Sequence, residues 1–439
     1  AAVFGTAILG SNPSAPAKSM KIKLFKLNFF KKIKSIFTGF YRSKELKLIF
    51  ENLEKNRKGK EEVVMFVGGC VRNFLKDEKI DDIDLATSLS PQEIKKNFEN
   101  TKFEILETGI DHGSITIKGK EKNYEITTLR KDIKTDGRHA LIEFSKDWKE
   151  DSERRDFTIN AIYLNKKGKI YDPQLGVKDL KNNVVKFIGD PEKRIQEDYL
   201  RILRFVRFSI KYNHKPEEST IKSIRLNING ITNVSRERIL VELKKILYLK
   251  NFIDICKEQK LKEIFEIIFQ EFKYFVRIEK LLKFEKNLEF SDVFLIALLT
   301  IDLKKNHEYF IHKYKTSNNL SKKLNLIAAN FENLNKDDYF FNKDLKKNIY
   351  FLGKEIMTIL YLLQQTDKKK IKNLDLLKTV QNFEIPHFPY DGNFLIQKGF
   401  KEGKDLGAAL KEMESKWVNQ NFKIDMKEIK VILEKFKPA

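Results

Sequence analysis

At 439 residues, with 41% hydrophobic and 12% aromatic residues including 35 Phe, the chain holds too much buriable surface for a disordered protein and enough length for roughly two to four domains. Its 85 Lys and Arg against 62 Asp and Glu give a net charge of +23, which favours nucleic acid, acidic membrane or phosphate-rich ligands over neutral metabolites. Cys70 and Cys256 cannot build a disulfide framework, six scattered His offer no zinc spacing, and no run approaches the roughly 20 apolar residues of a membrane helix, so a folded soluble protein of a reducing compartment is expected.

Residues 1–44 carry nine basic residues and no acid. Ala1 to Ser19 is small and Pro-containing and reads as an expression scar or disordered leader, with Met20 as a natural start. The run KIKLFKLNFFKKIKSIF at 21–37 alternates Lys with apolar residues, the pattern of an amphipathic helix or a targeting peptide. From Val63, VVMFVGG predicts a strand ending in a tight turn at Gly68 and Gly69, and VRNFLK a helix. DDIDLAT is a second strand carrying Asp82 and Asp84, Ser90 with Glu93 forms a capping box for the helix PQEIKKNFEN, and KFEIL, SITIKG and YEITTLR are further strands. The order β-α-β-α-β-β-β predicts a small mixed sheet with helices on one side.

The polar, Gly-containing stretch at 130–147 reads as a flexible loop, and DPQLGVKD at 172–179 as a turn or hinge. After Lys181 the pattern is almost wholly helical, which makes the fold class α+β. EDYLRILRFVRF predicts one helix with Leu200, Leu203 and Val206 on an apolar stripe. Asp198, Arg201, Arg204 and Arg207 recur on it at intervals of three, so Asp198 and Arg201 are neighbours and Arg207 lies half a turn away. Ser235 caps RERILVELKKIL, in which Arg238 and Glu242 are expected to brace the structure.

Residues two apart on a strand share a face, so Asp82 and Asp84 present two carboxylates together, a hard oxygen site suited to Mg²⁺. The bare backbone of the Gly68–Gly69 turn can approach a phosphate, with Arg72 adding charge.

These residues resemble the signature of the nucleotidyltransferases of the DNA polymerase β superfamily, specifically class II tRNA CCA-adding enzymes and bacterial poly(A) polymerases. VGGCVRN…DDIDLAT is followed in the family's order by RRDFTINA at 154–161, DPQLGVKD, EDYLR at 197–201 and RERILVEL at 236–243, and the tail PHFPYDGNFLIQKGF…DLGAALKEMESKW is similar too. The resemblance implies a head at 45–180, a neck that recognises the base at 181–250, a body at 251–365 and a tRNA-binding tail at 366–439. It implies that Asp82 and Asp84 hold Mg²⁺, that Gly68, Gly69 and Arg72 meet the nucleotide's phosphates, and that Arg155 meets ribose or phosphate. Glu125 is a candidate third carboxylate that takes the proton of the primer hydroxyl, or else a strand-surface acid facing Lys122. Asp198 and Arg201 would read the base, with Arg204 and Arg207 beside them. Cytosine and adenine both place an amino donor next to a ring-nitrogen acceptor, which suits a carboxylate beside a guanidinium, and uracil and guanine show the reverse. The 130–147 stretch is similar to the loop that complete CCA-adding enzymes are thought to need for the final A. Where the family usually has Asp, this chain has Asn73, which can hydrogen-bond but cannot ligate a metal as a carboxylate does.

The implied activity is addition of C, C and A to tRNA from CTP and ATP with Mg²⁺ as cofactor. The alternatives are a poly(A) polymerase and a non-catalytic RNA-binding protein on the same fold. Lys-rich helix faces would contact tRNA phosphates. Phe388, Tyr390 and Trp417 are core residues or stack on RNA. A cytoplasmic location is expected, with an organelle as the alternative, and no protein partner or membrane is implied.

Overall fold

The computed structural model describes residues 40–56, 59, 62–107, 109–120, 122–136, 139–284, 291–335, 340–368 and 375–436, so the expectations for the leader before residue 40 lie outside the described residues. The chain divides into two units, one ending at Asp198 and the other starting at Tyr199.

The first unit opens with α1 (Lys44–Leu53), β1 (Val64–Val67), α2 (Gly69–Leu75), β2 (Ile83–Thr87) and α3 (Pro91–Phe98). The Ser90 hydroxyl accepts from the Glu93 amide and the Glu93 carboxylate accepts from the Ser90 amide, the reciprocal cap expected for α3. Then come β3 (Glu104–Leu106), β4 (Ser114–Lys118), β5 (Asn123–Thr128), β6 (Arg130–Asp136) and β7 (His139–Phe144). The unit continues with α4 (Trp148–Glu153), β8 (Tyr163–Leu164), β9 (Ile170–Tyr171), α5 (Gly176–Lys181) and α6 (Pro191–Glu197). Seven strands form one sheet in the order β3-β4-β5-β2-β1-β8-β9, mixed because β2 runs parallel to β5.

The β1 run VMFV is buried on both faces. Phe66 packs on the rings of Phe50 from α1 and Phe40, at 4.9 and 5.0 Å. Met65 and Val67 point the other way, into a cluster with Ala86, Leu129 and Tyr163 that Trp148 covers.

The 130–147 stretch is not an irregular loop: β6 and β7 pair antiparallel from Arg130–Phe144 to Asp136–His139, with one irregularity between Asp132 and Lys134. Two runs free of Gly and Pro flank residues 137–138, and strand pairing satisfies backbone amides that a loop leaves to water.

Among the described residues the second unit is helical and has no strand. It contains α7 (Leu200–Tyr212), α8 (Glu218–Asn227), α9 (Arg236–Leu247), α10 (Gln259–Ile268), α11 (Phe275–Phe284), α12 (Asp292–Thr300) and α13 (Asn306–Tyr314). It ends with α14 (Asn318–Phe331), α15 (Leu345–Asp367), α16 (Asp375–Asn382), α17 (Gly392–Gln397), α18 (Lys404–Asn419) and α19 (Met426–Phe436). Every residue of α12 from Val293 to Thr300 is buried, which marks it as the centre of this core. Arg277 is buried beside it and donates to Asp367 at 2.7 Å and to the carbonyls of Leu298 and Ile301 at 2.9 Å. Trp417 is buried among the rings of Tyr350, Phe388 and Phe422, so it packs in a core. No helix of the described residues is long and apolar enough to cross a membrane.

The expected single helix over EDYLRILRFVRF is broken at its start. Asp198 has extended backbone (φ −156°, ψ 104°) after α6, and α7 begins only at Leu200. The break is where Tyr199 seats its ring on Gly230, at which a Cβ would lie 2.0 Å from that ring.

Candidate active site

β1 and β2 are antiparallel neighbours, so the exit of β1 and the entry of β2 meet at one end of the sheet. There Gly68 leaves β1 with φ 72° and ψ −128°, a conformation open essentially to glycine alone. A Cβ on Gly68 would lie 3.7 Å from Asp84 Oδ2 and 3.9 Å from Arg155 Nη1, so a carboxylate and a guanidinium both face this turn. A Cβ on Gly69 would lie 3.9 Å from Arg72 Nη2, which brings a second guanidinium to it.

Asp84 lies inside β2 directly opposite Glu125 of β5, so the two carboxylates share a face of the sheet. Asp82 stands just before β2 and not within it, which corrects the strand expected to carry both aspartates. Pairing starts at Ile83, and in the turn before it Asn73 Nδ2 donates to the Lys79 carbonyl at 2.9 Å. Burial pushes the Asp84 carboxyl up to about 6, Glu125 and Asp82 add to the rise, and Arg155 and Arg72 oppose it. The structure thus brings Asp82, Asp84, Glu125, Gly68, Gly69, Arg72 and Arg155 together.

Arg72 is buried and donates to Asn160 Oδ1 and, at 3.1 Å, to Asn73 Oδ1. Asn160 in turn donates to Asp156 Oδ1 at 2.9 Å. Asn73 therefore accepts from Arg72 and donates to Lys79, a pair of tasks that an ionised Asp could not perform at once.

Arg155 is anchored by residues that motif reading did not single out. Its Nε and Nη2 donate to Asp151 Oδ2 at 3.2 and 2.9 Å, and the Tyr163 hydroxyl donates to the same oxygen at 2.7 Å. Arg194 of α6 donates to the carbonyls of Arg154 and Arg155. The signal for Asp151 was present as an acid four residues before Arg155, a helical spacing. Nothing local in the sequence points to Tyr163 or Arg194.

DPQLGVKD brackets this motif. Asp172 accepts from the amides of Gly176 and Val177 at 2.8 and 2.9 Å, and Asp179 accepts from Thr158 Oγ1 at 2.7 Å. A Cβ at Gly176 would sit 2.0 Å from the Thr158 carbonyl oxygen, so only glycine lets α5 pack there.

The remaining expected residues fall at the end of the first unit and in the second. Asp198 ends the first unit, and Arg201, Arg204 and Arg207 lie on α7. Arg207 pairs with the buried Glu242 of α9 and lies 4.2 Å from the Phe208 ring, so it braces two helices, and Arg204 lies 5.9 Å from the same ring. A cavity of about 1140 Å³ sits at the opposite ends of β1 and β2, lined by Val63, Met65, Ser88, Trp148 and Tyr171 among others, and not at the carboxylates.

Among the described residues no three His, Cys, Asp or Glu side chains are placed to hold a metal by themselves. The carboxylates do suit a divalent cation that takes its other ligands from phosphate and water, since Glu125 and Asp82 already strain the charge on Asp84.

Adjacent carboxylates on a mixed sheet, a glycine turn and two anchored arginines define a nucleotidyltransferase head. Residues 64–186 match the Poly A polymerase head domain family and residues 289–432 the tRNA nucleotidyltransferase domain 2 family. The chain is 32% identical over 386 residues to the mitochondrial CCA tRNA nucleotidyltransferase 1 of Danio rerio, covering 82% of this chain and 85% of the relative. It is 31% identical to the CCA-adding enzyme of Lactobacillus helveticus over 79% of this chain and 87% of that protein. Its fold is that of the Bacillus stearothermophilus CCA-adding enzyme solved with CTP, with a TM-score of 0.67, 20% identity, and coverage of 89% of this chain and 96% of that one. The chain belongs to the class II CCA-adding tRNA nucleotidyltransferase family, whose members depend in general on a divalent metal.

Proposed function

We propose that this protein adds C, C and A to the 3′ end of tRNA from CTP and ATP and releases pyrophosphate, with Mg²⁺ held by Asp82 and Asp84. The observation that carries this reading is Asp84 opposite Glu125, facing the Gly68 turn together with Arg155. Asp82 and Asp84 would hold Mg²⁺, whose charge would supply polarisation of the α-phosphate and offset the negative charge that develops there. The Gly68 turn, in a conformation open to glycine, lets the backbone face the triphosphate, and Arg72 and Arg155 supply positive charge from fixed positions. Glu125, exposed on β5, accepts the proton of the tRNA 3′-hydroxyl. Asp198 accepts from the exocyclic amine shared by cytosine and adenine, and Arg201 donates to the adjacent ring nitrogen, which leaves uracil and guanine mismatched. Of the two expected settings, cytoplasm and organelle, the mitochondrial name of the Danio rerio relative supports the organellar one.

The test incubates the protein with Mg²⁺ and tRNA transcripts that end before CCA, supplying CTP and ATP singly and together. Growth by three residues followed by a stop is expected. A long A tail from ATP alone would indicate a poly(A) polymerase, and no extension a binding protein.

A further inference from the structure

The RRD arginines carry a fixed orientation that needs a cause. A free arginine samples many rotamers, yet Arg155 Nη1 is directed at the Gly68 turn. The guanidinium is planar, so fixing two of its nitrogens fixes the third. Nε and Nη2 are both committed to Asp151 Oδ2, and Nε also donates to the Tyr163 hydroxyl at 3.2 Å. The Tyr163 ring lies 5.3 Å from the same guanidinium. Asp151 is itself immobilised: its side chain is 1% exposed and its other oxygen accepts from Arg154 Nε at 2.8 Å. Tyr163 is fully buried at the start of β8, where its register with Val67 sets it one residue from Gly68. The backbone is held as well, through the bonds from Arg194 to the carbonyls of Arg154 and Arg155.

We infer that Asp151 and Tyr163 are positioning residues for nucleotide binding, which orient Arg155 so that Nη1 meets the incoming CTP or ATP at the Gly68 turn. The inference rests on the proposed role of Arg155 and deepens it: the strength of nucleotide binding depends on a tyrosine hydroxyl that never touches the nucleotide. A purely structural Tyr163 would affect stability, and would have no reason to act through Arg155.

Coupling separates these roles. CTP and ATP dissociation constants are measured with Mg²⁺ by isothermal titration calorimetry on the full chain, for wild type, Tyr163→Phe, Arg155→Ala and the double variant. Tyr163→Phe keeps the ring and removes only the hydroxyl, and is expected to weaken CTP and ATP about tenfold, the lower end of the effect of one hydrogen bond to a charged group. Arg155→Ala is expected to weaken them more, and adding Tyr163→Phe to it to change nothing further, within about twofold. The affinity for tRNA stays within about twofold throughout, which shows the fold intact. Asp151→Asn should weaken nucleotide binding at least as much as Tyr163→Phe, and if it does not fold the tyrosine cycle decides. An unchanged nucleotide affinity in Tyr163→Phe, or an equal loss with and without Arg155, overturns the inference. Because binding is read without turnover, a protein that shows this coupling but fails to extend tRNA would refute the proposed activity and leave the positioning role standing.

Discussion

Gly68 and Gly69 stand side by side, but only Gly68 has a backbone conformation that calls for glycine. At Gly68 the neighbours leave ordinary van der Waals room for a Cβ, so the cost of a side chain is backbone strain at φ 72° and ψ −128°, on the order of 1–3 kcal/mol. Relief of that strain would turn the Val67–Gly69 backbone and move it relative to Asp84. Gly69 has no positive φ, and its nearest neighbour is the end of the Arg72 side chain at 3.9 Å. Gly68→Ala is therefore expected to lower kcat/KM for CTP more than about tenfold, with tRNA affinity kept, since about 1.4 kcal/mol of lost transition-state stabilisation is tenfold in rate. Gly69→Ala should stay within about threefold of wild type. Equal effects of the two, measured as single-nucleotide incorporation, would show that sterics and not backbone conformation set the need for glycine.

At the scale of elements, α4, β8 and the segment that follows α4 are joined by one buried charge. Burial penalises the Asp151 carboxylate, but the Arg155 and Arg154 guanidiniums and the Tyr163 hydroxyl more than offset this and hold it well below the usual carboxylate range. A carboxyl depressed in the folded state stabilises the protein above its unfolded value near 4 and loses that contribution as pH falls toward its folded value. The urea midpoint of wild type should thus fall with acid below about pH 4. Asp151→Asn should be less stable at pH 7 by about 3–5 kcal/mol, the cost of breaking a buried pair, and should show a shallower acid slope. An unchanged slope would place the acid sensitivity in other carboxylates. The strands and the α3 cap were legible in the sequence because their signals are local: alternation, glycine punctuation, and Ser90 three residues before Glu93. The β6–β7 hairpin is obscured in the sequence because its polar residues and central glycine resemble a loop, although two runs free of Gly and Pro pair on either side. The Tyr163 and Arg194 anchors were illegible because their partners lie 8 or more residues away and belong to other elements. The helix break at Asp198 coincides with Tyr199 settling on Gly230, a contact no local propensity predicts.

For the molecule as a whole, the charge is unevenly divided. Of +23, nine positive charges fall in the first 44 residues, which have no acid, leaving +14 for the remainder. In the first unit the arginines nearest the carboxylates are already bound to protein: Arg72 to Asn160 and Asn73, and Arg155 to Asp151. The contribution to nucleotide binding proposed for them would be local and fixed in geometry, and buried pairs are weakly screened by salt. A long polyanion differs, because each phosphate that lysine neutralises releases counterions. If tRNA binding involves about three such contacts, raising NaCl from about 50 to 200 mM should raise its Kd roughly 40-fold. Over the same change CTP affinity should fall by no more than about threefold, since Arg72 and Arg155, the arginines proposed to meet it, are largely shielded from water. Filter binding of tRNA and calorimetry of CTP across a salt series measure both slopes. A tRNA slope as shallow as that for CTP would mean that the excess charge is not used on the phosphate backbone, and that tRNA is held by contacts other than the lysine faces.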